Sequence, residues 1–128
     1  MNHRQTTMTL NEYQQRAMTT CLHTSENFSY MMLNLVGEVG EFAGKVAKAI
    51  RKDKACIYYN HLQTESGPNA MTVDEAEDLK KEAGDILWQL SGLCTVMGWS
   101  LEDVAEMNLE KLASRQQRHV IDGNGDNR

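Results

Sequence analysis

From Phe28 to Lys52 apolar residues return every three or four positions for about seven turns, a spacing that only an amphipathic α-helix can use. A helix of that length must bury one stripe against something, and this constrains the fold more than any other feature of the chain. Its middle carries the segment Gly37 to Gly44, GEVGEFAG, in which Glu38 and Glu41 stand three apart among three glycines. On a helical wheel with Glu38 at zero, the apolar arc runs from roughly 20° to 180° and holds Met31, Phe42, Leu35, Val46, Val39, Met32, Ile50, Ala43, Val36 and Ala47. Glu38 therefore borders the packing face, and Glu41 lies about 60° further out. Gly37, Gly40 and Gly44 form a bare stripe beyond, where another backbone has room to approach.

A second long pattern repeats the arrangement. In EAGDILWQL, Glu82 and Asp85 are also three apart. Leu93, Ile86, Leu79, Met97, Leu90, Ala83, Cys94, Ala76 and Leu87 fill an arc from roughly 20° to 140° of Glu82, with Asp85 about 60° to the other side. If the two helices pack antiparallel, as consecutive helices in a bundle do, all four carboxylates meet at the edge of the core.

The remaining elements follow from their punctuation. Thr9 to Glu12 (TLNE) is a capping box opening a first helix from about Leu10 to about Leu22, and Thr72 to Glu75 (TVDE) opens the third. Gly98 ends the third helix, and Ser100 caps a fourth running to about Arg118. No segment reads as a convincing strand. The expected fold is all-α, four main helices in one domain over 1–128, with a long connection at 54–71 and a polar tail at 119–128. The first part of that connection, KACIYYN, can extend the second helix, whereas ESGPNAM is loop.

Composition narrows the function. A formal net charge of −5 argues against a broad nucleic-acid-binding surface, so no nucleic-acid partner is expected. Cys21, Cys56 and Cys94 are odd in number and far apart, which points to a reducing compartment. With no apolar leader and no run of membrane-spanning length, the expected setting is cytoplasmic, without membrane association.

Four carboxylates converging at a half-buried site repel one another, and burial alone drives some to take up protons. A divalent cation removes both problems, and an all-oxygen donor set favours Mg²⁺ or Mn²⁺ over zinc or copper. A di-iron bundle needs Glu-x-x-His pairs, and His3, His23, His61 and His119 are misplaced for it. The plainer alternative is that both acid pairs lie on solvated faces. Asn108, Lys111 and Arg115 share one face of the fourth helix and suit an anionic ligand such as a polyphosphate; Lys45 pairs with Glu41 at i, i+4 or reaches a phosphate. Tyr13, Gln14, Tyr58, Tyr59 and Trp88 are weaker candidates for contacts to a base, Trp88 alternatively packing on a neighbouring subunit.

Together, LVGEVGEF, EAGDILWQLSGL, NLEKLASRQQR and the terminal GNGDNR, with the opening LNEYQQRA, resemble the MazG-like nucleotide pyrophosphohydrolases of the all-α NTP pyrophosphatase superfamily. The resemblance implies a bundle completed by dimerisation, as a homodimer or a dimer of dimers. It implies metal ligation by Glu38, Glu41, Glu82 and Asp85, and substrate contacts from Asn108, Lys111 and the terminal Gly125 to Arg128. The 40 residues between Glu41 and Glu82 are long for the family. The expected activity is Mg²⁺-dependent cleavage of a (deoxy)nucleoside triphosphate between its α- and β-phosphates, giving a monophosphate and pyrophosphate. In this reading the four acids are the catalytic set, and Lys111 with Arg115 or Arg128 neutralises the polyphosphate. A non-catalytic helical interaction protein and a nucleotide sensor are the alternatives.

Overall fold

The computed structural model describes residues 7–65 and 67–119. In chain order the elements are α1 (Leu10–Met18), a 3₁₀ turn (His23–Ser25), α2 (Phe28–Arg51), β1 (Ala55–Tyr58), β2 (His61–Thr64), α3 (Val73–Val96) and α4 (Leu101–Gln117). The all-α class and the four helices expected from the sequence are present, and the helix starts obey their caps. Thr9 Oγ1 accepts from Glu12 N, Ser100 Oγ accepts from Asp103 N, and at Thr72 both halves of the capping box form. Gly98 adopts φ +77°, the left-handed conformation that ends a helix cheaply only in glycine. The first helix stops at Met18 rather than near Leu22. There the hydroxyls of Thr19 and Thr20 bond back to the carbonyls of Arg16 and Ala17, and the backbone turns.

Pairs of residues across α2 and α3 run in opposite order along the chain, so the two helices are antiparallel. Met31 meets Gly92, Asn34 donates to Gln89, and Lys45 reaches Glu82. α1 is tied across the C-terminal half of α3 by polar contacts. The amide of buried Gln14 donates to Thr95 Oγ1 and to the Trp99 carbonyl and accepts from Leu101 N, so one side chain joins α1, α3 and the start of α4. Trp88 Nε1 donates to the Ala17 carbonyl and to Thr20 Oγ1. Both residues hold α1 in position, and the Trp88 indole N–H is spent within the chain.

The connection corrects the sequence reading. Instead of extending α2 it forms an antiparallel hairpin in which Ala55 pairs with Thr64 and Tyr58 with His61. Tyr59 and Asn60 both take positive φ, 48° and 64°, as a two-residue type I′ turn requires. Asparagine suits that conformation but tyrosine does not announce it, so the usual Asn-Gly or Asp-Gly signal is missing. The root is firm: Lys54 N donates to the Ala49 carbonyl, Asn69 donates to the carbonyls of Lys52 and Asp53, and Lys54 pairs with Glu75 at 3.0 Å. That ammonium and the Thr72 backbone N–H, the larger cause, hold the Glu75 carboxyl down to about 2.

Close packing of a neighbouring side chain occurs at a glycine the sequence did not single out. A Cβ at Gly92 would run into Met31 Sδ and Cε, whereas nothing lies within 4 Å of one at Gly40 or Gly44. Met31 is 1% exposed and its sulfur accepts from Gln89 Nε2 at 3.2 Å, so shifting its end would disturb that buried contact. Alanine at a solvated helical glycine ordinarily stabilises by up to about 1 kcal/mol. Gly92→Ala should instead destabilise by about 1–3 kcal/mol through overpacking. Denaturant titration against Gly44→Ala checks this; equal gains from the two substitutions would refute the close packing.

Candidate metal centre

The antiparallel register brings the two acid pairs to one place. Glu38 from α2 and Glu82 and Asp85 from α3 each offer a carboxylate oxygen, and these three atoms lie within 4.8 Å of one another. Glu41 stands outside that tight set and is exposed. It nevertheless lies near enough to Glu38 for its charge to act on that carboxyl.

Burial is uneven. Glu82 is 8% exposed, Glu38 is half-buried and Asp85 is exposed. The Oε2 atoms of Glu38 and Glu82 are buried with no hydrogen-bond partner among the described residues. Burial raises the Glu38 carboxyl above the usual carboxylate range, and the charges of Glu41, Asp85 and Glu82 add to the effect. Glu82 moves the other way because Lys45 Nζ donates to its Oε1 at 2.7 Å, which outweighs desolvation. Lys45 is pushed up by the same bond. Tyr13 on α1 is raised by burial and then by the charge of Asp85, which puts α1 at the edge of the cluster.

The Lys45 partner differs from the i, i+4 pairing expected with Glu41. The ammonium crosses to α3, where it meets the deeper and more confined carboxylate. Behind Glu38, Asn34 Nδ2 donates to Gln89 Oε1 at 2.8 Å and lies 3.4 Å from Glu38 Oε1. Gln89, 1% exposed, in turn donates to Met31. This buried polar relay was absent from the sequence reading. Its one legible signal was Gln89 standing four residues after Asp85, a turn along the helix from the acids.

The basic candidates are distributed differently. Asn108 and Lys111 line a cavity of about 740 Å³ with Gly98, Trp99, Asp103, Val104 and Met107. None of the four acids lines that cavity, and α4 packs against α1. Arg115 is buried. Arg128, with Gly125 and the rest of the terminal motif, lies outside the described residues. Tyr58 and Tyr59 stack edge to face on the hairpin and are exposed.

As a test of fit, a hard divalent cation needs several oxygens that are close, anionic and free to turn toward it. Glu38, Glu82 and Asp85 supply them, and the two partnerless buried oxygens are the atoms for which a cation would compensate. The donor set fits.

With this geometry in view, the model of the MazG nucleotide pyrophosphohydrolase domain matches residues 26–120. The chain belongs to the MazG family. A curated relative, the Gene 37 protein of Mycobacterium phage L5, is 38% identical over 103 residues, covering 80% of this chain and 78% of that protein. Its name says nothing of what it does. No solved structure is significantly similar. The MazG match contains both acid pairs and α4; LNEYQQRA (10–17) and GNGDNR (123–128) lie outside it. MazG enzymes are generally dependent on divalent metal, in keeping with the acidic cluster. No helix among the described residues is long and apolar enough to cross a membrane.

Proposed function

We propose that this MazG protein hydrolyses nucleoside or deoxynucleoside triphosphates between the α- and β-phosphates, releasing a monophosphate and pyrophosphate, with Mg²⁺ (or Mn²⁺) held by Glu38, Glu41, Glu82 and Asp85. The observation that carries this reading is the convergence of acids from two helices on buried oxygens of Glu38 and Glu82 that lack partners. When bound, the cation supplies charge neutralisation at phosphate oxygens and acidifies water in its coordination sphere. Glu38, whose carboxyl is raised by burial and by the neighbouring acids, and Glu41 beside it are the two candidates for general base. Asn108, Lys111 and Arg128 take the polyphosphate, Arg115, buried on the same helix as the first two, adds its charge from beneath the surface, and Lys45 approaches from α2, positioning charge rather than breaking bonds.

The reading also takes the protein as one domain that acts as a homodimer or dimer of dimers. On α2, only the near part of the apolar arc is covered. Met31 and Ala49 are buried and Phe42, Leu35 and Val46 half-buried, while Val39, Met32, Ile50, Ala43, Val36 and Ala47 remain exposed. A contiguous apolar strip of this kind favours a second copy as its cover. The three free cysteines suit the reducing, cytoplasmic setting.

Pyrophosphate release from a panel of NTPs and dNTPs, with and without Mg²⁺, tests the proposal. Metal-dependent turnover of at least one nucleotide is expected. Mg²⁺-dependent binding of nucleotides that stay intact would assign a sensor, and neither binding nor turnover would leave a helical interaction protein.

A further inference from the structure

Lys45 holds a position that a metal ligand set would not be expected to leave to an ammonium. Its Nζ is 2.7 Å from Glu82 Oε1, and that carboxylate is the most buried of the four. The lysine itself is largely in solvent, with 44% of its side chain exposed, so it reaches inward to the cluster from the surface. Four neighbouring carboxylates carry a formal charge of −4 when ionised, and Lys45 is the cation that an ion pair brings to them in the described structure. On its outer side it lines a cleft of about 210 Å³ with Lys48, Lys52, Lys54, Glu75 and Asp78, so leaving Glu82 does not carry the ammonium into apolar surroundings.

We propose that Lys45 is a built-in stand-in for the metal: it neutralises Glu82 in the metal-free protein and must leave that carboxylate when a divalent cation enters. This rests on the reading of the four acids as a metal site. The physical reason is like-charge repulsion. A divalent cation and an ammonium on the two oxygens of one carboxylate would stand a few ångströms apart at a half-buried site, where screening by water is weak. The lysine has a flexible four-carbon stem and a solvated alternative, whereas the acids are fixed on two packed helices, so the lysine moves. Exchange of one cation for the other lets the site stay assembled without metal and makes metal affinity lower than the acids alone would set. The displaced ammonium then faces a polar cleft in which Asp78 offers it an alternative carboxylate partner.

The test is calorimetric titration with Mn²⁺ alone, no nucleotide present, on the wild-type full-length chain, Lys45→Met and Lys45→Arg. Removing a competing ion pair that is partly solvated should tighten Mn²⁺ binding by about five- to tenfold in Lys45→Met. Lys45→Arg, which keeps the competing charge, should stay near the wild type. Melting temperatures give an independent reading: Lys45→Met should melt below the wild type without metal and match it at saturating Mn²⁺. Mn²⁺ binding that is unchanged or weaker in Lys45→Met, with the wild type binding normally, overturns the stand-in role and leaves the metal site intact. Absence of Mn²⁺ binding in both overturns the metal-site reading as well. Binding seen only in Lys45→Met supports the competition in its strongest form.

Discussion

Glu38→Gln should remove at least about 99% of pyrophosphate release while giving a protein that melts higher than the wild type in the absence of metal. The loss of activity follows because glutamine offers a neutral oxygen where an anionic ligand and a candidate proton acceptor stood; loss of general-base function alone costs about 10²–10⁴-fold. The gain in stability follows from the sign of the titration. Burial and three neighbouring acids raise the Glu38 carboxyl in the folded chain. A carboxyl raised on folding favours the folded state while protonated, and that contribution is lost as pH rises through its folded value. Metal-free wild type should therefore lose melting temperature from the ordinary carboxylate range toward neutrality, and Glu38→Gln should lose less. Melts in chelator across that range, with turnover assays at saturating Mg²⁺, check both halves. A variant that is active, or one that melts well below the wild type without metal, would contradict the assignment.

Glu82→Gln separates two acids that the sequence treats alike. Its carboxyl is lowered chiefly by the Lys45 hydrogen bond, so ionised Glu82 stabilises the fold above its unfolded value, and that contribution disappears as pH falls through the depressed folded one. The amide weakens this pairing, and without metal the variant should melt below Glu38→Gln. The symmetry of the two Glu-x-x-acid pairs would have predicted the same gain for both; one lysine from the facing helix breaks it.

The second large effect concerns the uncovered strip of α2. Val36 is 68% exposed and stands among Met32, Val39, Ala43 and Ala47, all exposed. If a second copy covers this strip, Val36→Asp buries a carboxylate with no partner, a cost of about 3–5 kcal/mol per subunit. The wild type should sediment at a multiple of its 14.5 kDa chain mass, and Val36→Asp should shift to the single-chain mass or fail to stay soluble. Val73→Asp is the control. Val73 is 80% exposed but opens α3, where an acid complements the helix dipole, so it should leave the assembly unchanged. A monomeric wild type at micromolar concentration, or a Val36→Asp variant of full assembly mass, would show that the strip has another use.

Much of this protein is local in origin and legible in one dimension. Thr9, Thr72 and Ser100 each bond to a backbone N–H three residues away, and Gly98 takes the left-handed turn on its own, so helix starts and one helix end needed no partner to be read. Helical periodicity likewise set the phase of Glu38 against its apolar arc and of Glu82 against its own, and antiparallel packing then left the acids little choice but to meet. The hairpin was hidden because its turn places Tyr59 where glycine or asparagine would have declared it. What tertiary structure decided were pairings between residues far apart in the chain. Lys45 takes Glu82 rather than Glu41, Gly92 rather than Gly40 or Gly44 admits the neighbouring side chain, and Gln14 and Trp88 spend their donors on binding α1 to the bundle. Each of these depends on axial register and depth between helices, and the wheel of a single helix records only angle.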